Sequence, residues 1–334
     1  LNSQKVVILT GVAGFIGFHL ARFLLARGDR VIGIDNINDY YDVTLKEARL
    51  TQLHQSRAFT FYQRDLADSE AISSALKPHQ DITHIVHLAA QAGVRHSLAA
   101  PARYVASNVQ GHVTMLECAR TMPALQNFVY ASSSSVYGLN TNLPFRETDA
   151  VNRPSSVYAA TKRADELISE AYAHLYGFPQ TGLRFFTVYG PWGRPDMAYY
   201  QFAQAILSGM PVRLYDAEGL ARDFTFIDDI IHGVVAAMDH PGKAGAARIF
   251  NLGGDQPTPV RDMVALLAEC LGKPAHISLS PLPKTDVLST WASLDYVGEV
   301  LGWRPKTSLK DGLKIFATWF KEYHGSDGAF RKTR

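Results

Sequence analysis

Thr10-Gly11-Val12-Ala13-Gly14-Phe15-Ile16-Gly17 follows a run of apolar residues, Val6-Val7-Ile8-Leu9, and opens a helical pattern. The first glycine permits a tight turn. The second lets backbone approach a pyrophosphate, and the third lets helix and strand pack closely. The spacing is G-x-x-G-x-x-G, and its place between a strand and a helix points to a dinucleotide. Working outward, short apolar runs alternate with helical stretches. Strands are expected at Val6–Thr10, Arg30–Asp35, Phe59–Gln63, His84–Leu88, Asn127–Ser132 and Gln180–Phe185. Helices are expected at Phe15–Arg27, Thr44–His54, Ser69–Leu76, Ala102–Thr121 and Val157–Tyr176. Unbroken apolar strands between helices describe a doubly wound parallel α/β sheet, with its ligand at the carboxyl ends of the strands.

The pattern changes after Tyr189. Gly190-Pro191-Trp192-Gly193-Arg194-Pro195-Asp196 is a Gly/Pro-rich loop. Beyond it, helical stretches at Ala198–Ser208, Asp229–Met238, Val260–Leu271 and Leu309–Tyr323 alternate with loops and isolated strands. The expected organisation is a dinucleotide domain over residues 1–186 and a smaller lobe over 187–334, with segments near 223–251 returning to the first domain. The 334 residues suffice for two such units. A net charge of +2 gives no reason to expect a nucleic-acid partner or a membrane surface. No apolar run is long enough to span a bilayer, and the first residues do not read as a signal peptide. Cys118 and Cys270 sit in separate apolar helical patterns and are expected in the packing of a cytoplasmic protein, not in a disulfide. His87 and His96 lack neighbours at metal-ligand spacing, so no metal is expected.

Asp35 ends the second strand, where a carboxylate would bond a ribose diol and repel a 2′-phosphate; NAD is favoured over NADP. Asn36 adjoins it. Asp65 and Leu66 close the third strand, within reach of an adenine. Leu88-Ala89-Ala90-Gln91-Ala92 closes the fourth with side chains small enough for a dinucleotide to lie on backbone. Asn108 falls inside a helical stretch, where Asn is a poor helix former. It either holds a kink, binds a water or faces solvent.

Two further stretches carry chemistry. In Ser155-Ser156-Val157-Tyr158-Ala159-Ala160-Thr161-Lys162 a helix would put Tyr158 and Lys162 on one face. A cation beside a phenol favours the phenolate, which can then take a proton from a sugar hydroxyl near neutral pH. Ala131-Ser132-Ser133-Ser134-Ser135-Val136-Tyr137-Gly138 supplies hydroxyls at a strand end.

The glycine turn, the serine run and Tyr-x-x-x-Lys, in this order, resemble the extended short-chain dehydrogenase/reductase family, and within it the nucleotide-sugar epimerases. The resemblance covers essentially the whole chain. It implies a Rossmann domain, tightly bound NAD, a UDP-sugar substrate and a homodimer built on the helices near 102–121 and 157–176. It makes Tyr158 the general base, with Lys162, Ser133 and Ser135 beside it, and Lys162 also on the nicotinamide ribose. Dehydratases of this kind place Asp-Glu after their Ser/Thr, and the decarboxylases usually carry Glu nearby. Ser134 and Ser135 stand there instead, which leaves epimerisation. Thr187 to Ala198 resembles the substrate loop of UDP-glucuronate 4-epimerases. Arg194 is then the expected partner of the sugar carboxylate, with Arg95 as a second cation. Arg222, Arg213 and Asp286 are implied near the UDP. Pro283-Lys284-Thr285 replaces the usual approach to that Asp. A neutral UDP-hexose or UDP-N-acetylhexosamine epimerase, a UDP-glucuronate decarboxylase and a nucleotide-binding module without catalysis are the alternatives.

Overall fold

A computed structural model describes residues 4–283 and 287–325. The chain opens with β1 (Val6–Thr10), α1 (Phe15–Arg27), β2 (Arg30–Asp35), α2 (Val43–Leu53), β3 (Phe59–Gln63), α3 (Ser69–Leu76) and β4 (His84–His87). Then come short α4 (His96–Ala99) and α5 (Pro101–Tyr104), a π-helical turn (Val105–Gln110), α6 (Gly111–Ala119), β5 (Asn127–Ser133), α7 (Val157–Tyr176) and β6 (Gln180–Phe185). The second half holds β7 (Thr187–Tyr189), α8 (Ala198–Leu207), β8 (Val212–Tyr215), β9 (Ala221–Phe226), α9 (Ile227–Asp239) and β10 (Ala247–Leu252). It ends with β11 (Pro257–Pro259), α10 (Val260–Leu271), β12 (Ile277–Ser280), α11 (Asp295–Leu301) and α12 (Leu309–His324).

Seven strands form one sheet in the order β10-β6-β5-β4-β1-β2-β3, every pair parallel. This is the Rossmann order, with its reversal between β1 and β4. Successive β1 residues point to opposite faces. Val7 and Leu9 join the core shared with α1 and the second half, and Val6 and Ile8 join the core under α3 and α6. Burying such side chains on both faces contributes roughly 1.5–3 kcal/mol each. The second half adds a three-stranded sheet, β11-β9-β7, and a two-stranded one, β12-β8. The sequence pattern does not anticipate β7, β8, β9, β11, β12 or α11. Each is short, and most are half exposed, so neither period stands out.

Local chemistry sets the helix ends. Ser156 Oγ accepts from Ala159 N–H to start α7, and Gly177, in the left-handed region at φ +80°, stops it. The single helix expected over Ala102–Thr121 is a correction. Pro101 begins a new segment, and the π-helical turn interrupts the rest. The turn carries Asn108, whose side chain reaches away to the loop after β4. Its amide donates to Gln91 O at 3.2 Å and Thr161 Oγ1 at 2.9 Å, and its oxygen accepts from Gln91 N–H at 2.7 Å. Asn108 is thus fully buried behind the cleft wall, not in contact with the cleft. These bonds make Asn108 a brace between the loop after β4, the π-helical turn and α7.

Candidate active site

A cavity of about 1060 Å³ runs along the carboxyl ends of the sheet strands. Its lining brings together Gly11, Gly14, Phe15, Ile16 and Gly17 from the first turn, and Asp35, Asn36, Asp65 and Leu66 from the next two strand ends. Leu88, Ala89, Ala90 and Ala92 line it from the loop after β4, Ser133 from the end of β5, Ser135 from the turn that follows, and Tyr158 and Lys162 from α7. Arg95, Thr187, Arg194, Arg213 and Arg222 complete it. Asp286 lies outside the described residues.

The cofactor half fits a dinucleotide on its own geometry. Gly14 caps α1 in extended conformation with no side-chain hydrogen bond, so the helix's first N–H groups face the cleft without a capping oxygen. No acidic residue lies in that first turn. Such a terminus takes a phosphate. Gly11 sits at φ +72°, and a Cβ there would lie 2.8 Å from Ala89 N. A Cβ on Gly17 would collide with the Gly11 carbonyl. Gly17→Ala is therefore expected to push α1 off β1, lower stability by roughly 1–3 kcal/mol and strip the bound dinucleotide. Cofactor released from the denatured protein, set beside the melting temperature, checks this.

Asp35 is buried and already fixed. Oδ2 accepts from Ala13 N–H at 3.1 Å and Oδ1 from Ile37 N–H at 2.8 Å. Its oxygens keep lone pairs beyond these two bonds, enough to accept a ribose diol. Asn36 donates to Asp65 at 3.0 Å and so joins the second and third strand ends. Thr10 bridges the reversal point: its Oγ1 lies 2.8 Å from His87 Nδ1 and accepts from Ala89 N–H at 3.1 Å.

The catalytic half stands on α7 and the end of β5. Ser133 Oγ accepts from Ser135 N–H at 3.1 Å, capping the 3-10 turn Ser134–Tyr137. Its own O–H remains a donor toward the cleft. Behind it Ser132 is not in the same role: it donates to Glu166 at 2.6 Å. Glu166 is also held by Arg184 at 2.8 and 3.0 Å and by Arg163 at 2.9 Å. Burial opposes its ionisation, but the Arg184 guanidinium keeps the carboxyl below the usual range. Lys162 Nζ donates to Ala131 O at 3.0 Å and Asp165 Oδ2 at 3.1 Å. The Tyr158 ring meets that of Tyr104 edge-on at 6.2 Å.

The substrate loop differs from expectation in one respect. The Arg194 fork already holds a carboxylate, with Nε 3.0 Å and Nη2 2.8 Å from the two oxygens of Asp196. Tyr40 also donates to Asp196, at 3.2 Å. Burial raises Asp196, but Arg194 outweighs it and holds the carboxyl below the ordinary range. Asp196 takes the Nε and one Nη2 donor, so a sugar carboxylate would either displace it or use the Nη1 edge. Arg95 stacks on the Tyr215 ring at 5.0 Å, Arg213 donates to Ser280 at 3.1 Å, and Arg222 donates to Leu288 O at 3.0 Å. Sequence reasoning missed Arg49, which is fully buried and donates to Ala13 O, Trp192 O and Gly193 O. It ties the glycine turn to the substrate loop. Nothing in its helix distinguishes it from a surface arginine.

Residues 7–253 match the model of the NAD dependent epimerase/dehydratase family. The chain belongs to this family. It is 45% identical to UDP-glucuronate 4-epimerase 4 of Arabidopsis thaliana over 340 residues, 98% of this chain and 77% of that one. The UDP-glucuronic acid 4-epimerase of Bacillus cereus, solved in complex with UDP-glucuronic acid and NAD, superposes with a TM-score of 0.88 at 33% identity, covering 96% of this chain and 100% of that one. UDP-glucose 4-epimerase from Thermotoga maritima, solved with UDP-glucose, gives 0.86 at 30% identity, over 96% and 99%. Among the described residues no helix is long and apolar enough to cross a membrane.

Proposed function

We propose that this protein inverts C4 of UDP-glucuronate, reversibly giving UDP-galacturonate through a 4-keto sugar, with NAD kept bound. One observation carries the reading: the glycine turn, Ser133, Tyr158, Lys162, Thr187 and Arg194 line a single cavity. Tyr158, as phenolate, takes the C4 hydroxyl proton, and Ser133 donates its O–H to the same sugar oxygen, shortening the path. Lys162 supplies the positive charge that favours the phenolate. The glycine turn, Asp35 and Lys162 would hold NAD, which would supply a hydride acceptor for C4 and, once the sugar has turned about its diphosphate, a donor to its opposite face. Tyr158 then gives its proton back. Arg194 and the Thr187 hydroxyl hold the carboxylate in both sugar orientations. That grip also restrains a β-keto acid from losing carbon dioxide. Arg95 is the second cation toward the carboxylate, and Arg213 and Arg222 offset the diphosphate charge. Residues 1–186 with β10 carry the cofactor, and most of 187–334 carries the UDP-sugar.

Incubation with UDP-glucuronate, UDP-glucose and UDP-N-acetylglucosamine, without added NAD, tests the reading by NMR. UDP-galacturonate from the first alone is the expected result. UDP-xylose or a 4-keto-pentose as main product rejects it. The Arg194–Asp196 pairing favours a second reading, a neutral-sugar epimerase, because the guanidinium is already neutralised. The double variant Arg194→Met/Asp196→Asn separates the two. Loss of a charged two-bond grip, worth about 1.5–3 kcal/mol, raises KM for UDP-glucuronate roughly 10- to 100-fold. Unchanged kinetics on UDP-glucuronate favour the second reading.

The assembly proposed is a homodimer. Leu98, Val105, Leu167 and Leu175 are all more than half exposed, on α4, the π-helical turn and α7. A second copy laid on these helices would bury them. Light scattering giving the mass of one chain rejects it. Cys118 and Cys270 are free, in keeping with a reducing, cytoplasmic setting.

A further inference from the structure

Lys162 does not stand alone under the cleft. Two of the three donors of its ammonium are spent inside the protein, on Ala131 O and on Asp165 Oδ2. Asp165 lies one turn further along α7 and is fully buried, and its Oδ1 has no hydrogen-bond partner. A carboxylate so placed is costly unless a charge offsets it. Glu166, next along the helix, repels Asp165 and is itself engaged by Arg184, Arg163 and Ser132. Tyr130 faces Asp165 from β5. His112 of α6 and His87 of β4 lie behind, 5.3 Å apart, and burial keeps both rings neutral. Lys162 is therefore the one cation that Asp165 meets directly among the described residues. On the cleft side Tyr104 of α5 faces Tyr158.

We propose that Asp165 is a positioning residue of the epimerisation: it pins the Lys162 ammonium and offsets its field, so that Tyr158 both takes and returns its proton near neutral pH. An unshielded ammonium would hold the phenolate too firmly for the return step, and proton transfer is most efficient when acid and base are matched to the working pH. Burial pushes the Asp165 carboxyl up to about 6, with Lys162 pulling the other way. The shield is thus ionised at neutral pH and fades as pH falls through that value.

The inference rests on Tyr158 being the base of the proposed reaction, but its first readout needs no substrate. The ultraviolet phenolate signal of Tyr158 is the difference between the NAD-loaded protein and its Tyr158→Phe form. In Asp165→Asn the phenolate midpoint is expected to fall by roughly half a pH unit, and the acidic limb of kcat to fall with it. Asp165→Ser serves as a second uncharged side chain should Asn not fold. Asp165→Glu keeps the charge and should leave the midpoint in place. An unmoved or raised midpoint in a folded uncharged variant overturns the proposal. So does an equal shift in Asp165→Glu, or a loss of stability with no shift. A wild type that shows the spectral shift but does not turn over UDP-glucuronate sinks the substrate assignment and leaves this inference standing.

Discussion

Tyr158→Phe is expected to lower kcat about 10³-fold, within the range that a positioned acid–base group contributes, equal to about 4 kcal/mol of barrier. The change removes one oxygen and keeps the ring. The edge-on packing against Tyr104 persists, and so does the pairing of Lys162 with Ala131 and Asp165. KM, NAD content and melting temperature should therefore stay near the wild type. Product formation followed by NMR, beside a cofactor assay, measures all of this. A Phe variant within tenfold of wild type would leave Tyr158 without a proton to carry and return the protein to a binding role.

The largest effect on stability should come from Arg184→Met. Arg184 and Glu166 are both buried, joined by two bonds, and Arg184 also donates to Tyr137 OH at 3.0 Å. Removing one partner strands the other's charge, at about 3–5 kcal/mol. For a chain of 334 residues that means a melting temperature lower by roughly 4–7 °C. The pH dependence has a definite sign. In the wild type the carboxyl is held low, so its stabilisation is present above the unfolded glutamate range and lost as pH falls through the depressed folded value. In the variant Arg163 and Ser132 still bond Glu166, but the main opposition to burial is gone, so the carboxyl rises and protonation relieves part of the strain on acidification. The gap between the two proteins should narrow from pH 7 to pH 4. Thermal denaturation across that range checks it, and a constant gap would mean that Glu166 is not what the arginine supports.

How much of this was legible beforehand follows from which forces are local. β1, α1, β2, β3, α3, α7, β6 and α10 have the ends read from sequence, because buried strands are short apolar runs and glycine or Ser/Asp caps mark the helices. The helix expected over 102–121 was misread because the force that breaks it is not local. Asn108 bonds Gln91, 17 residues away, and Thr161, 53 away. The same holds at the site. Tyr158, Lys162 and Ser133 are readable because their spacing is their geometry. Asp165 is also four residues or fewer from Lys162, but only the fold shows it facing inward with an oxygen unpartnered. Asp196 was quoted in the loop beside Arg194, yet its hold on that arginine is a matter of three-dimensional reach. Arg49 left no trace at all.

β10 closes the sheet by lying beside β6 across six residue pairs, Ala247 with Gln180 through Leu252 with Phe185. All six residues of β6 are buried. A fragment cut after Phe186 would leave this buried strand as an open border with a row of unmet amides, a template for pairing with its own copies. The amino-terminal half is thus not a portable cofactor module, and its recombinant expression alone should yield aggregates. During synthesis the same border stays bare until Leu252, 66 residues beyond Phe186, has been made and has emerged.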